Sequence, residues 1–181
     1  VSSISEKCIE AYSRAKNLKI AANEVGIPWQ TVYVHLKKAG VSVCGDKARY
    51  GSASDRFAAK SEARFRDLVP FAVDNNQTEF QSTIDFTVGD FSVDVKAARL
   101  KPAGSINRWS YCVNKQRDIA DFFVLYAYNK DGDDVDHVFL IPGEIARTKT
   151  TISITESLKS KWADYEVSEP ELLKFFVAIT E

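Results

Sequence analysis

The sequence predicts an α+β protein: a small all-helical module over residues 1–48, followed by a domain of strands and helices over residues 49–181. Three observations predict it. Apolar residues recur at helical spacing three times within the first 40 residues. From about residue 71 to residue 141 they instead alternate with polar residues or form short runs bounded by turn residues. The charge also changes character: residues 1–50 carry eight Lys/Arg against four Asp/Glu, whereas residues 51–181 carry sixteen against twenty-one, in a chain of 181 residues with net charge -1.

Composition bounds the reading. With 45% hydrophobic and 27% charged residues the chain has material for a real core and does not belong among disordered sequences. No apolar run approaches the roughly 18 residues of a membrane-spanning helix, so a membrane partner is not expected. Residues 1–7 have no apolar stretch, so no signal peptide is expected, and the lack of Met at position 1 points to a trimmed or replaced start. Three cysteines (Cys8, Cys44, Cys112) and two histidines (His35, His137) are too few and too scattered for a disulfide framework or a zinc site. The expected compartment is a reducing cytoplasm, with each Cys a small core residue.

The elements follow in order. Residues 5–16 carry Cys8, Ile9, Ala11, Tyr12 and Ala15 on one side, with Ser5 as the expected N-cap. Residues 18–25 place Leu18, Ala21, Ala22 and Val25 on one face and stop at Gly26. Pro28 opens a third helix with Val32, Leu36 and Ala39 as its apolar stripe, ended by Gly40. Residues 41–54, rich in Gly, Ala and Ser, read as a linker or docking segment. Ser54 is then the expected cap of a long helix to Leu68, with Phe57, Ala58, Phe65 and Leu68 inward and Pro70 as its stop. Strand-like sequence runs to about Ala98, and further strands are expected at 109–113, 122–128 and 135–141. The acidic segment 131–136 between the last two has Asp136 and Pro142 where a calcium loop needs Gly and Glu, and reads as a hairpin tip. Residues 141–144 are expected to end a strand and start a turn or helix. Ser168 and Glu171 form a capping box for a final helix carrying Leu172, Leu173, Phe175, Phe176 and Ile179.

Residues 21–36 resemble a helix-turn-helix of the resolvase/invertase type. The pattern has small Ala22 at the helix crossing, Gly26 at the turn, and Val25, Ile27 and Val32 as the apolar lock. His35 departs from it and is expected to be partly buried. The resemblance implies a DNA-binding module, with Trp29, Gln30 and Tyr33 exposed near the start of the third helix and Lys37 and Lys38 suited to phosphate.

The most informative segment is residues 83–96, Thr-Ile-Asp-Phe-Thr-Val-Gly-Asp-Phe-Ser-Val-Asp-Val-Lys. Two alternating runs flank Gly89-Asp90, a pair suited to a type II′ turn. That turn fixes the register: Ile84 opposite Val95, Phe86 opposite Val93 and Val88 opposite Phe91 on an apolar face, and Thr83 opposite Lys96, Asp85 opposite Asp94 and Thr87 opposite Ser92 on a polar one. Opposed carboxylates with Cβ atoms about 5 Å apart repel unless a proton or cation lies between them. Oxygen-only donors suit Mg²⁺, with Mn²⁺ as an alternative, and Lys96 projects from the same face. After it come Arg99, Lys101, Arg108, Lys115 and Arg117 with no Asp or Glu among them, a surface suited to phosphates.

At these residues the chain resembles the PD-(D/E)XK nuclease superfamily, with Asp85 as the first acidic position and Asp94-Val95-Lys96 as the D-x-K half. Ile84 stands where the family name has Pro. The resemblance implies a restriction-endonuclease-like αβββαβ core with a mixed sheet, the helix after Lys96 falling on residues 114–120. It implies metal binding by Asp85, Asp94 and the Val95 carbonyl, with Lys96 orienting the attacking water. Glu62 matches an additional direct or water-mediated ligand, and Gln116 a polar residue some members bring from the following helix. The implied activity is Mg²⁺-dependent cleavage of double-stranded DNA, directed by the helical module as in restriction or homing enzymes of bacteria or phage. One centre cuts one strand, so a homodimer or larger symmetric assembly is expected. The rivals are a junction-resolving nuclease, a DNA-binding regulator on an inactive nuclease fold, and a protein-interaction module using the basic run. Trp109, Tyr111 and Trp162 are ring candidates for base stacking, with core packing their commoner fate.

Overall fold

The structure, a computed structural model, describes residues 3–43, 45, 51–78 and 82–181. Cys44, residues 46–50 of the expected linker and the expected domain boundary at 48/49 lie outside the described residues. Contacts divide the chain into two units, residues 1–56 with 75–82 and residues 57–74 with 83–181. Among the described residues no helix is long and apolar enough to cross a membrane.

The first unit is built on three helices, α1 (Ile4–Ala15), α2 (Leu18–Val25) and α3 (Trp29–Lys38). The first starts two residues earlier than expected, because Ser3 and Glu6 form a reciprocal capping box and Ser5 lies inside the helix. Asn17 caps α2, its carboxamide oxygen accepting from the Lys19 and Ile20 N–H groups. Gly26 closes α2 at φ 79°, the left-handed conformation that lets the chain turn at once into α3. Pro28 sits at the N-cap position, one residue ahead of the helix it was expected to open. Cys8, Ala11, Tyr12, Ala21, Ala22, Val32 and Leu36 form the core of this unit, with Val25 and Ile27 packed against it. His35 is half-buried as expected, whereas Ala39 lies past the last helical residue and is exposed.

The second unit is layered. Its elements are α4 (Ala53–Leu68, whose first four residues contact places with the first unit), β1 (Val73–Asp74), α5 (Asn75–Thr78, which contact also places with the first unit), β2 (Phe86–Val88), β3 (Phe91–Arg99), β4 (Lys101–Ala103), β5 (Ile106–Cys112), β6 (Phe122–Tyr128), β7 (Val135–Pro142), α6 (Gly143–Ala146), β8 (Thr151–Thr155), a 3₁₀ turn (Lys161–Tyr165) and α7 (Glu169–Thr180). Ser52, not Ser54, caps α4, trading hydrogen bonds with Asp55. Ala58 is exposed, and the inward side of α4 is Phe57, Ser61, Phe65 and Leu68.

Five strands form a mixed sheet in the order β1-β2-β3-β6-β7, with β3 and β6 parallel and the other pairs antiparallel. Phe65, Val69, Phe86, Val88, Val93, Val95, Val124, Tyr126, Leu172 and Phe176 fill one face with side chains from α4 and α7. The other face carries Phe123, Leu125, Phe139 and Ile141 against Trp109, Tyr111, Ile152 and Ile154. Those last four belong to a second sheet, β4-β5-β8. The strand expected third in one core sheet is therefore in another sheet. Leu100 interrupts the extended chain between β3 and β4, and the continuation pairs with β5. The two layers are tied by polar edges of buried rings: Trp109 Nε1–H donates to the Tyr128 carbonyl at 2.7 Å and Tyr111 O–H to the Tyr126 carbonyl at 3.0 Å. Trp109, Tyr111 and Trp162 are thus core residues. Cys8 is buried as expected, but Cys112 is exposed because it shares the outward face of β5 with Arg108 and Ser110.

Candidate active site

The turn after β2 behaves as the sequence demands. Gly89 has φ 60° and Asp90 does not share the positive φ, which is the type II′ arrangement. The register follows: Phe86↔Val93, Thr87↔Ser92 and Val88↔Phe91. The expected ladder stops there. Thr83, Ile84 and Asp85 bend away, and Ile84 packs with the cluster on the opposite side of the sheet from Phe86 and Val88. Asp85 instead reaches β3 with its side chain, Oδ2 accepting from the Val95 N–H at 2.8 Å. A side chain has replaced a strand rung, and the carboxyl arrives beside Asp94 all the same.

Asp94 and Lys96 occupy the sheet face opposite Val93 and Val95. Their parallel neighbours on β6 are Phe123 and Leu125, both buried, so the pair sits in an apolar surround. Asp94 is 1% exposed. Burial, first, and the Asp85 charge, second, push its carboxyl up to about 7 against the pull of Lys96. Burial also raises Asp85; the Val95 N–H, Lys96 and a hydrogen bond with the Asp94 carboxyl pull the other way, and Asp74 adds to the rise. Lys96 Nζ lies 2.9 Å from Asp94 Oδ2 and donates to Gln116 Oε1 at 3.1 Å. The ion pair lacks hydrogen-bond geometry at the acid, and Asp94 Oδ2 is a buried oxygen with no hydrogen-bond partner.

Gln116 comes from the connection between β5 and β6. Residues 114–119 are a run of turns, not the expected helix. The bonds alternate between i−3 and i−4, Gln116 and Arg117 N–H both donating to Val113 and Ile119 and Ala120 N–H both to Gln116. So few residues between two strands do not repay helix nucleation. The connection is held by Ser92 at the start of β3. Ser92 N–H donates to Asp121 Oδ2 at 2.8 Å, Ser92 Oγ–H donates to the Ile119 carbonyl at 2.8 Å, and the Asp121 N–H donates to the Ser92 carbonyl at 3.0 Å. Gly143 closes the other end: a Cβ there would stand 1.9 Å from the Ala120 carbonyl oxygen.

Four of the candidate residues, Asp85, Asp94, Lys96 and Gln116, are therefore brought together, with Val95 between them. Glu62 lies half-buried on α4, and among the described residues no three carboxylate, His or Cys side chains converge as a metal-holding group. Sequence reasoning missed Asp74, the acidic neighbour of Asp85. It arrives through pairing of β1 with β2, opposite Phe86, and its carboxylate is bound by Arg66 at 3.0 Å. It also missed the Ser92–Asp121 clamp, whose partners are too far apart in the chain for any local pattern.

The donor set suits a hard divalent cation. Two carboxyl groups share one small site, a buried oxygen of one has only the Lys96 ammonium against it, and burial disfavours leaving both ionised and unneutralised. Asp85, Asp94 and the Val95 carbonyl are the groups available to hold it.

The remaining candidates are surface residues. On α3, Trp29 is 41% and Tyr33 40% exposed, and Gln30, Lys37 and Lys38 are exposed as well. In the basic run Arg99 lies over the Phe57 ring at 4.8 Å, Lys101 and Arg108 face each other across β4 and β5, Lys115 is exposed, and Arg117 is 3.9 Å from Asp118.

No family model matches the chain, and no curated protein matches it. Among solved structures, the chain is similar to a bacterial homing endonuclease, I-Ssp6803I, with 14% identity and a TM-score of 0.43 over 76% of this chain and 99% of that one.

Proposed function

We propose that the chain is a Mg²⁺-dependent DNA endonuclease that hydrolyses phosphodiester bonds, with its helical N-terminal unit positioning the DNA. The observation that carries this reading is the Asp85–Asp94 carboxyl pair, Asp94 buried and Asp85 half-buried, with Asp94 Oδ2 2.9 Å from the Lys96 ammonium. A pair of raised acids in an apolar surround is costly to keep for structure alone, since a well-packed apolar pair would serve the fold better.

Asp85, Asp94 and the Val95 carbonyl would hold the cation, with Glu62 reaching it through water. When bound, Mg²⁺ supplies a Lewis acid that neutralises charge on the scissile phosphate. Hydrolysis adds water across one P–O bond, leaving a phosphate monoester on one side of the nick and a hydroxyl on the other. Lys96 donates hydrogen bonds from Nζ to the attacking water and the phosphoryl oxygens, where negative charge grows. Gln116, the acceptor at 3.1 Å, fixes the ammonium in that position and orients its remaining protons. Asp85, already bonded to the Val95 N–H, is anchored by the backbone of the strand that carries Asp94 and Lys96.

For the DNA, α3 offers Trp29, Gln30 and Tyr33 to base edges and Lys37 and Lys38 to phosphate, and Arg99, Lys101, Arg108, Lys115 and Arg117 add positive charge beside the site. A double-strand break requires two such centres, so the working form is a homodimer or a larger symmetric assembly. The test is plasmid cleavage by wild type and Lys96→Ala in Mg²⁺, Ca²⁺ or EDTA. Nicking or linearisation is expected with Mg²⁺ only and is abolished in the variant while DNA binding survives; an uncut plasmid in Mg²⁺, or cutting in EDTA, contradicts it.

A further inference from the structure

The β4-β5-β8 sheet has two unlike faces. Trp109, Tyr111, Ile152 and Ile154 are buried in the core, Trp109 pairing with Ile154 and Tyr111 with Ile152. The alternate residues point outward: Arg108, Ser110 and Cys112 on β5, their partners Thr155, Ser153 and Thr151 on β8, and Lys101, opposite Arg108, on β4. None of the three strands contains Asp or Glu, although the chain has 25 acidic residues. Lys101 and Arg108 are therefore like charges directly opposed across a strand pair, an arrangement that costs stability unless an anion lies over them. Among the described residues neither has an acidic partner. Arg108 is held in place by Nη1–H donating to Ser153 Oγ at 3.3 Å, and its Nε–H is buried with no acceptor. Around the two cations stand hydroxyl groups, the short uncharged donors that contact phosphate oxygens in protein–DNA interfaces.

We infer that this outward face is a docking surface for the phosphate backbone of duplex DNA, with Lys101 and Arg108 as its charged centre and Ser110, Ser153 and Thr155 as flanking donors. The identity of the polyanion rests on the nuclease reading; the anion-binding character of the face rests on the sheet itself. Charge complementarity singles out a polyphosphate partner, and two cations opposed on adjacent strands with hydroxyl groups along a third suit a regular backbone more than a small anion. Lys101 follows Lys96 by five residues of nearly continuous extended chain, at most about 17 Å, roughly five base pairs along a duplex axis. The backbone positions of Lys96 and Lys101 are therefore no farther apart than that span. Contacts of this kind are sequence-independent: they set affinity and register, leaving base reading to α3.

The experiment is fluorescence anisotropy of a labelled random-sequence duplex in EDTA, over a salt series, with the full chain. Ser110→Glu, a change at an exposed position, is expected to weaken binding about tenfold by setting an anion against the phosphates. Lys101→Ala is expected to weaken it several-fold and to reduce the slope of log affinity against log salt by about 0.9, one phosphate contact. Circular dichroism melting of both variants checks that the fold persists, as their exposure predicts. Wild-type affinity for duplex with no loss in either variant overturns the inference, and so does the absence of any duplex affinity, which would leave an acidic protein as the partner. The nuclease reading fails separately, by an uncut plasmid in Mg²⁺ while these binding differences persist.

Discussion

Two pairs of like charges face each other in the second unit, and they are resolved in opposite ways. Asp85 and Asp94 meet inside an apolar surround, where their repulsion is paid in raised proton affinity. Lys101 and Arg108 meet on an outward sheet face, the lysine exposed to water and salt and the arginine half-buried. The acidic pair is small and largely enclosed, with Asp85 held by the Val95 N–H, which suits a single hard ion and a reaction at one bond. The open pair is broad and wet, which suits a long polyanion held by many weak contacts. The same chain, β3 running on into β4, carries half of each.

The comparison breaks first at the buried pair. Asp94→Asn is expected to lower the cleavage rate at least a thousandfold, read as single-turnover cutting of a supercoiled plasmid, with duplex affinity unchanged. The same variant should melt higher than wild type at pH 8 in EDTA, because one of two buried charges has gone. A smaller effect follows at Gln116. Gln116→Ala frees the Lys96 ammonium without removing it, and about a tenfold loss of rate is expected, with Gln116→Glu failing to restore it because a new carboxylate competes with Asp94.

Salt separates the two pairs without mutation. Raising it from 50 to 200 mM is expected to weaken duplex binding by orders of magnitude while leaving the single-turnover rate at saturating DNA nearly constant. pH supplies the smallest signal. Both carboxyl groups have folded-state proton affinities above their ordinary values, so the folded chain binds more protons than the unfolded one. Their contribution to stability is complete below about pH 4 and is lost as pH rises towards 7. The melting temperature in EDTA is therefore expected to have a falling component over that window, one that flattens in Asp94→Asn. Mg²⁺ should raise the melting temperature more at pH 8 than at pH 5.5, since it competes with those protons.

Much of this was legible in the sequence, and the limits are instructive. The alternation around Gly89-Asp90 gave the true register for residues 86–93, because period and turn constrain it independently. It also brought Asp85 to Asp94, but by an incorrect route. Extrapolating the ladder to Ile84 and Thr83 ignored that a short carboxylate can satisfy the Val95 N–H itself, which frees the chain to leave the sheet. The caps at Ser3 and Ser52 were missed for a local reason that a closer reading could have caught: each has an acid three residues on, Glu6 and Asp55, and the competing serines two residues later do not. The second sheet and Asp74 were out of reach, because both depend on pairings between distant segments whose residues carry no local mark of their partner. Gln116, which the family resemblance marks as a polar residue from the following helix, does reach Lys96, although the helix expected to carry it is a series of turns held by Ser92 and Asp121.

The central claim is that Asp85 and Asp94 together hold one divalent cation. Mn²⁺ binding followed by electron paramagnetic resonance tests it without DNA or turnover. One bound ion per chain is expected at pH 7.5, displaced by excess Mg²⁺ and lost in Asp94→Asn. Binding that survives that substitution, or no binding by the wild-type chain, contradicts the account.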